Sequence, residues 1–180
     1  MSPRDVAVVL PSDLGWIALV YEENLVHQLT FGHRNPAQAV SALNVADWID
    51  AEVVETPPSD SLGGQLQAFA AGSRVDFSHV EVDLRDRTTL HRRVIECCRR
   101  IPIGQTLTYG KLAARVGAPR AARAVGNIMA ANRVPLIVPC HRVVAASGSN
   151  GGYSCGEGVR TKLRLLEMER LGDLAIPDYS

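Results

Sequence analysis

The 180 residues carry 19 basic and 19 acidic side chains and are 46% hydrophobic, the make-up of an ordinary folded chain with room for one good core or two small ones. No run of about 18 apolar residues is present, and the start lacks a charged-then-apolar-then-small pattern, so neither a membrane span nor a secretory signal is expected. The four cysteines, Cys97, Cys98, Cys140 and Cys155, fit no metal-ligand spacing, which predicts free thiols in a reducing compartment, the cytoplasm or, in a eukaryote, the nucleus.

The neutral total hides an uneven distribution. Residues 1–84 hold 3 basic and 12 acidic side chains, residues 85–142 hold 12 and 2, and residues 143–180 hold 4 and 5. A basic middle is what phosphate binding by one domain would look like; pairing of the acidic part with the basic part is the alternative. The change of sign near Asp83–Arg87 predicts a boundary, giving an N-terminal α/β domain over 1–84 and a C-terminal domain over 85–180.

The first domain reads as strands with short helices. Gly15 to Tyr21 is an apolar, β-branched and aromatic run, Glu22-Glu23-Asn24 a turn, and Leu25 to Phe31 the return strand closed by Gly32. Asn35-Pro36 caps and opens a helix to about Leu43. Thr56 to Ser61 is a loop before a helix over Leu62–Ala71, and Val75, Phe77, Val80, Val82 and Leu84 alternate as a strand would.

The second domain reads as mostly helical. Thr88 or Thr89 caps a helix whose stripe is Leu90, Val94, Ile95, Cys98 and Ile101, with Cys97 and Cys98 as core fillers; Pro102 and Gly104 end it. Tyr109–Val116 is a short helix stopped by Gly117, and Ala118-Pro119 opens a second one running to Asn132, a helix-turn-helix spacing. The exposed part of the second helix is nearly all alanine and glycine, with Arg123 rising from it; such a face serves close packing on protein or close approach to DNA. The stretch Asn132 to Val144 then sets Cys140 and His141 behind a stiff frame of Pro135 and Pro139. A glycine-rich loop follows to Gly158, and the last helix, Val159 to about Leu171, is read with Leu163, Leu166 and Leu171 inside and Lys162, Arg164 and Arg170 outside.

Several separated motifs stand in one order: Ile101-Pro-Ile-Gly-Gln-Thr with Thr108-Tyr109, Ala122-Arg-Ala-Val-Gly126, Asn132, Pro139-Cys-His-Arg-Val143, Gly152-Tyr-Ser154, and Lys162, Leu165-Leu166 and Glu169. Over about residues 85–171 the chain resembles the O6-alkylguanine-DNA alkyltransferases. The resemblance implies a mixed α/β fold, with a small ribonuclease H-like N-terminal domain before a helix-turn-helix domain. It implies a stoichiometric, irreversible alkyl transfer from O6-alkylguanine, and from O4-alkylthymine, in double-stranded DNA to Cys140. It implies a monomer without a cofactor. Some members bind zinc through N-terminal cysteines; with no cysteine there, this chain is expected to hold no metal.

By that resemblance Cys140 is the nucleophile, His141 takes its proton through a bound water, and Glu169 holds the imidazole, although a late-helix glutamate on its own reads as a solvated charge. Tyr109 donates to guanine N3 and contacts the rotating phosphate. Asn132 holds the turn before the cysteine. Tyr153 and Ser154 form the lid, and the carbonyls of Cys140 and Val143 read the exocyclic amine. The second helix, with Ala122, Ala124 and Gly126, enters the minor groove, Arg123 replaces the flipped base, and Arg115, Arg120 and Arg133 are candidates for phosphates. Two departures stand out: Tyr153 to Lys162 is about two residues longer than in the best-known members, and Leu90-His91 replaces an aromatic-polar pair, which weakens His91 as a DNA contact. A lesion sensor without transfer is the rival reading, against which Cys140 argues; a small-molecule thiol hydrolase is the third.

Overall fold

The computed structural model describes residues 6–43, 52–146 and 152–171. Its first half is built on a mixed sheet. Strands β1 (Val6–Leu10), β2 (Trp16–Glu22) and β3 (Leu25–His33) are antiparallel neighbours, and two short parallel strands, β4 (Glu52–Val53) and β5 (Glu81–Val82), flank them in the order β4-β1-β2-β3-β5. The alternation of β1 feeds two separate packings. Val8 and Leu10 face the main core, while Ala7 and Val9 join Ala18, Val20, Ala39 and Leu43 beneath helix α1 (Pro36–Ser41). The Asn35 side chain caps α1 by accepting from the Gln38 N–H, and Ser61 caps helix α2 (Leu62–Ala70) in the same way through Gly64.

Helix α3 (Thr89–Arg99) starts at a Thr88 cap and buries Val94, Ile95 and Cys98, the expected stripe. A two-residue strand β6 (Leu107–Thr108) leads into α4 (Tyr109–Arg115), followed by α5 (Ala122–Ala130). The chain then forms a single 3-10 turn over Cys140–Arg142 and strand β7 (Val143–Val144), which pairs in parallel with β6. Helix α6 (Val159–Leu171) closes the fold.

One hydrophobic cluster runs from Val8, Leu19 and Phe31 in the sheet through Ile95 and Leu112 to Val138, Val143 and Leu165. Polar ties cross the same junction. The Leu29 N–H donates to the Arg133 carbonyl at 2.8 Å, and Arg99 Nη2 donates to the carbonyls of Phe77 and Val80 at 2.9 and 2.6 Å. The stretch before Cys140 is thus held from the sheet side as well as by its own prolines.

Three expectations need correction, and one strand was not anticipated. Strand β1 escaped the sequence reading: a five-residue apolar run has no period to report when both its faces are covered. Of the alternating stretch Val75–Leu84, only Glu81–Val82 pairs as a strand, because Phe77 and Val80 are drawn into the core by loop backbone whose carbonyls bond Arg99. Helix α5 begins at Ala122, not at Pro119, and residues 118–121 form a turn closed by Ala121 N–H on the Ala118 carbonyl at 2.8 Å. In α6 the buried face is Lys162, Leu165 and Glu169, whereas Leu163 is exposed; the helix is rotated by about one residue, or 100°, from the leucine-based reading. The side chain of Leu171 lies outside the described residues.

Candidate active site

The site grows out of the segment 132–143. Asn132 clamps it at both ends: its Oδ1 accepts from the Val134 N–H and its Nδ2 donates to the Val138 carbonyl, each at 3.0 Å. Leu136 takes a positive φ of 71°, and Pro135 and Pro139 are buried. The Cys140 N–H donates to the Val138 carbonyl at 2.7 Å and the Arg142 N–H to the Pro139 carbonyl at 2.9 Å. Backbone bonds therefore fix the main chain from which the Cys140 side chain projects. Only 5% of Cys140 is exposed.

Behind it lies a closed charge cluster. Glu169, from the third turn of α6, is buried, and its carboxylate accepts from four donor atoms. His141 Nε2 donates to Oε1 at 2.7 Å, Arg142 Nη2 to Oε1 at 2.8 Å, Arg142 Nε to Oε2 at 2.9 Å, and the Gly104 N–H to Oε2 at 3.1 Å. Arg142 Nη1 donates to the Ile101 carbonyl at 2.7 Å. Burial alone would raise the Glu169 carboxyl, but the His141 and Arg142 hydrogen bonds hold it down to about 2. Burial lowers His141 against the pull of Glu169, so the imidazole is neutral near pH 7. With a carboxylate accepting at Nε2, the hydrogen sits there and Nδ1 keeps its lone pair. That Nδ1 is buried and has no hydrogen-bond partner among the described residues.

On the other side Lys162 is fully buried, its ammonium 2.7 Å from the Val143 carbonyl and 5.8 Å from the centroid of the Tyr109 ring. Burial raises the Cys140 thiol, while Asn132 and the Lys162 ammonium pull it back towards ionisation. Lys162 is in turn pushed down by burial and held up by the negative charge that Cys140 acquires. Tyr109, the first residue of α4, is half-buried and packs towards Gly126 of α5, where an added Cβ would lie 4.0 Å from its ring. Burial raises its phenol, which keeps its proton as a donor.

The structure brings Cys140, His141, Glu169, Asn132, Val143, Tyr109 and Tyr153 to one place. The Tyr153 hydroxyl is buried, and Ser154 Oγ donates to the Ala130 carbonyl at 3.3 Å, at the end of α5. The carbonyls expected to read a guanine amine each already accept one bond, Val143 from Lys162 and Cys140 from the Val143 N–H; each keeps a second lone pair. Arg115, Arg120 and Arg123 are exposed, and Ala122, Ala124 and Gly126 are half-buried beside Arg123. Arg133 is half committed: its Nη1 lies 3.2 Å from Asp86. Two residues stand in the motifs of the resemblance without a role assigned to them. Arg142 reads only as a charge beside His141, and Lys162, on an amphipathic helix, as solvent-facing.

Comparison with known proteins places the chain among its relatives. The model of the 6-O-methylguanine DNA methyltransferase DNA-binding domain matches residues 89–171. The methylated-DNA–protein-cysteine methyltransferase of Mycobacterium bovis is 45% identical over 118 residues, which cover 64% of this chain and 69% of that one. The constitutive enzyme of that name from Bacillus subtilis is 36% identical over 137 residues, covering 72% and 81%. The crystal structure of Mycobacterium tuberculosis OGT in complex with DNA superposes with a TM-score of 0.72 at 34% identity, covering 92% of this chain and 93% of that one. The O6-methylguanine-DNA methyltransferase of Pyrococcus kodakaraensis superposes with a TM-score of 0.69 at 25% identity, covering 91% and 99%. The chain belongs to the methylated-DNA–protein-cysteine methyltransferase family.

Proposed function

We propose that this protein repairs DNA by direct reversal, moving the alkyl group of O6-alkylguanine, and of O4-alkylthymine, irreversibly onto Cys140. The observation that carries the proposal is the buried bond from His141, next in the chain to Cys140, to an ionised Glu169, which leaves the other imidazole nitrogen without a partner among the described residues. The Cys140 sulfur bonds the alkyl carbon as the bond from that carbon to the base oxygen breaks. His141 Nδ1 accepts the thiol proton, through a water, and Glu169 stabilises the imidazolium that results. Lys162 offsets the thiolate charge until the sulfur is alkylated and neutral. Tyr109 passes its phenol proton to the departing base, which leaves neutral instead of as an anion, and the thiol proton held at His141 returns through water to the Tyr109 oxygen. The displacement balances without a cofactor, and its product, a thioether, has no route back.

The target atom lies inside the duplex, so the base must be turned out at a cost of a few kcal/mol. In this reading α4, the turn at 116–121 and α5 act as a helix-turn-helix, with the small face of Ala122, Ala124 and Gly126 in the minor groove. Arg123 fills the vacated stack, and Arg115 and Arg120 meet phosphates. The sheet half, 1–84, is a ribonuclease H-like structural domain, and 85–180 is the DNA-binding and transfer domain of a monomer working in the cytoplasm or nucleus. No helix among the described residues is long and apolar enough to cross a membrane.

The test is incubation with duplex DNA carrying one O6-methylguanine, followed by peptide mass spectrometry. One methyl group on Cys140 per protein, in a single turnover, is expected. Tight binding without transfer would make the chain a lesion sensor, and repeated turnover of small esters a hydrolase.

A further inference from the structure

The segment from Gly152 to Gly158 brings the Tyr153 side chain to Cys140, and part of its footing lies in the other half of the chain. At the end of β3, Gly32 has a φ of +87°, and a Cβ added there would lie 2.8 Å from Gly156 Cα and 3.4 Å from Gly156 N. Gly15, in the turn between β1 and β2, packs on Gly32 in the same way: its added Cβ would meet the His33 carbonyl oxygen at 2.9 Å and Gly32 C at 3.0 Å. Three backbones, at Gly15, Gly32 and Gly156, are therefore stacked with no side chain between them. One turn into α6, Arg164 Nη2 donates to the Asp13 carbonyl at 2.7 Å, in the turn that carries Gly15. From Gly156 the chain is tied forwards as well, by the Glu157 N–H on Thr161 Oγ1 at 2.9 Å and the Gly158 N–H on the Cys155 carbonyl at 3.0 Å.

We propose that this glycine seat in the sheet half fixes the height of the segment 152–158 above Cys140 and thereby sets the size of alkyl group the protein accepts. The inference rests on the alkyl-transfer reading for its second part only. Cys140 is 5% exposed, so any group attached to the base must share the space under Tyr153. A methyl group at position 32 cannot be relieved by a rotamer change, because what it meets is backbone. Restoring ordinary carbon contact of about 3.5–4.0 Å lifts Gly156 by about an ångström, and Tyr153, three residues away, moves with it. Larger alkyl groups gain room; methyl loses the close wall that holds it in line.

The experiment uses the full chain with Gly32→Ala, Arg164→Ala and a control. The control is Gly72→Ala, whose φ of +92° imposes the same backbone cost while nothing lies within 4 Å of the added Cβ. The first readout is hydrogen exchange at residues 153–158, which needs no activity. It is expected to quicken about tenfold in Gly32→Ala, less in Arg164→Ala, and not at all in Gly72→Ala. The second readout is the ratio of transfer rates from free O6-benzylguanine and O6-methylguanine, expected to rise about fivefold in Gly32→Ala and less in Arg164→Ala, with Gly72→Ala unchanged. Unchanged exchange in Gly32→Ala overturns the seat itself. Faster exchange with both bases slowed equally overturns the size selection. An equal response in Gly72→Ala reduces the effect to loss of stability. Absence of transfer in the unsubstituted chain, with the exchange result intact, would fault the repair reading and leave the seat standing.

Discussion

Arg142 and Arg123 lie 19 positions apart in the same basic stretch, and their surroundings are opposite. Arg142 is 7% exposed and spends its guanidinium on Glu169 and the Ile101 carbonyl; Arg123 stands in solvent on a helix face of alanine and glycine. A buried guanidinium that lost its carboxylate would be left as an unpaired charge in a low-dielectric interior, which costs far more than any exposed pair is worth. A solvated guanidinium costs nothing to keep and is free to meet a ligand. The first is part of how the protein holds its shape around the cysteine; the second is available for binding. Residue type and charge are the same, so the difference comes entirely from burial.

Substitutions sharpen this contrast. Cys140→Ala should abolish transfer altogether while folding normally, seen as the absence of any alkylated protein by intact mass. Glu169→Gln should act on both levels. Breaking the buried cluster should lower stability by about 3–5 kcal/mol in urea unfolding, and a mis-set imidazole should slow transfer by about 100-fold. If Glu169→Gln were as stable as the parent, the cluster would not be the structural element described here. Arg123→Ala should slow transfer from duplex DNA by about 10- to 100-fold, leave transfer from the free base unchanged, and shift stability by less than about 0.5 kcal/mol. Equal loss on both substrates would remove the base-flipping role and with it the contrast with Arg142. Arg133→Ala, which opens a half-exposed pair with Asp86, should change stability by less than about 1 kcal/mol.

The acid limb of stability gives a further check. Glu169 is held at about 2, below the ordinary 4.5 of an unfolded glutamate. A depressed carboxyl contributes stability above its unfolded value and loses it as pH falls through the interval from 4.5 towards about 2. Unfolding measured across that interval should steepen for the parent and be flatter for Glu169→Gln. His141, lowered by burial, should stay neutral below its ordinary 6.5, so transfer from the free base should hold its rate into mildly acidic solution.

Several parts of this arrangement could be read from the sequence, each for a local reason. Asn35-Pro36, Ser61 and Thr88 announce helix starts because capping needs only a side chain and an N–H three residues on. The stripe of α3 was legible because its arginines and its apolar residues keep helical period. Lys162 broke the same rule in α6. Its long stem allows a charge to sit inside when a carbonyl, here that of Val143, receives the ammonium, and no spacing along the chain reports that acceptor. Arg142 failed for a related reason, since its partners, Glu169 and Ile101, are 27 and 41 residues away.

By itself the amino-acid order determined what is set over a few bonds: caps, turn glycines, the proline frame that stiffens the approach to Cys140, and the motifs that mark the family. The tertiary structure alone decided which charges are dry and which are wet, that Glu169 serves His141 and Arg142 together, and that backbone from residues 15 and 32 lies under residue 156. The reason is physical. Local geometry follows from dihedral preference and neighbouring side chains, whereas desolvation, and with it the state of every titrating group at Cys140, depends on segments that meet only when the chain has folded.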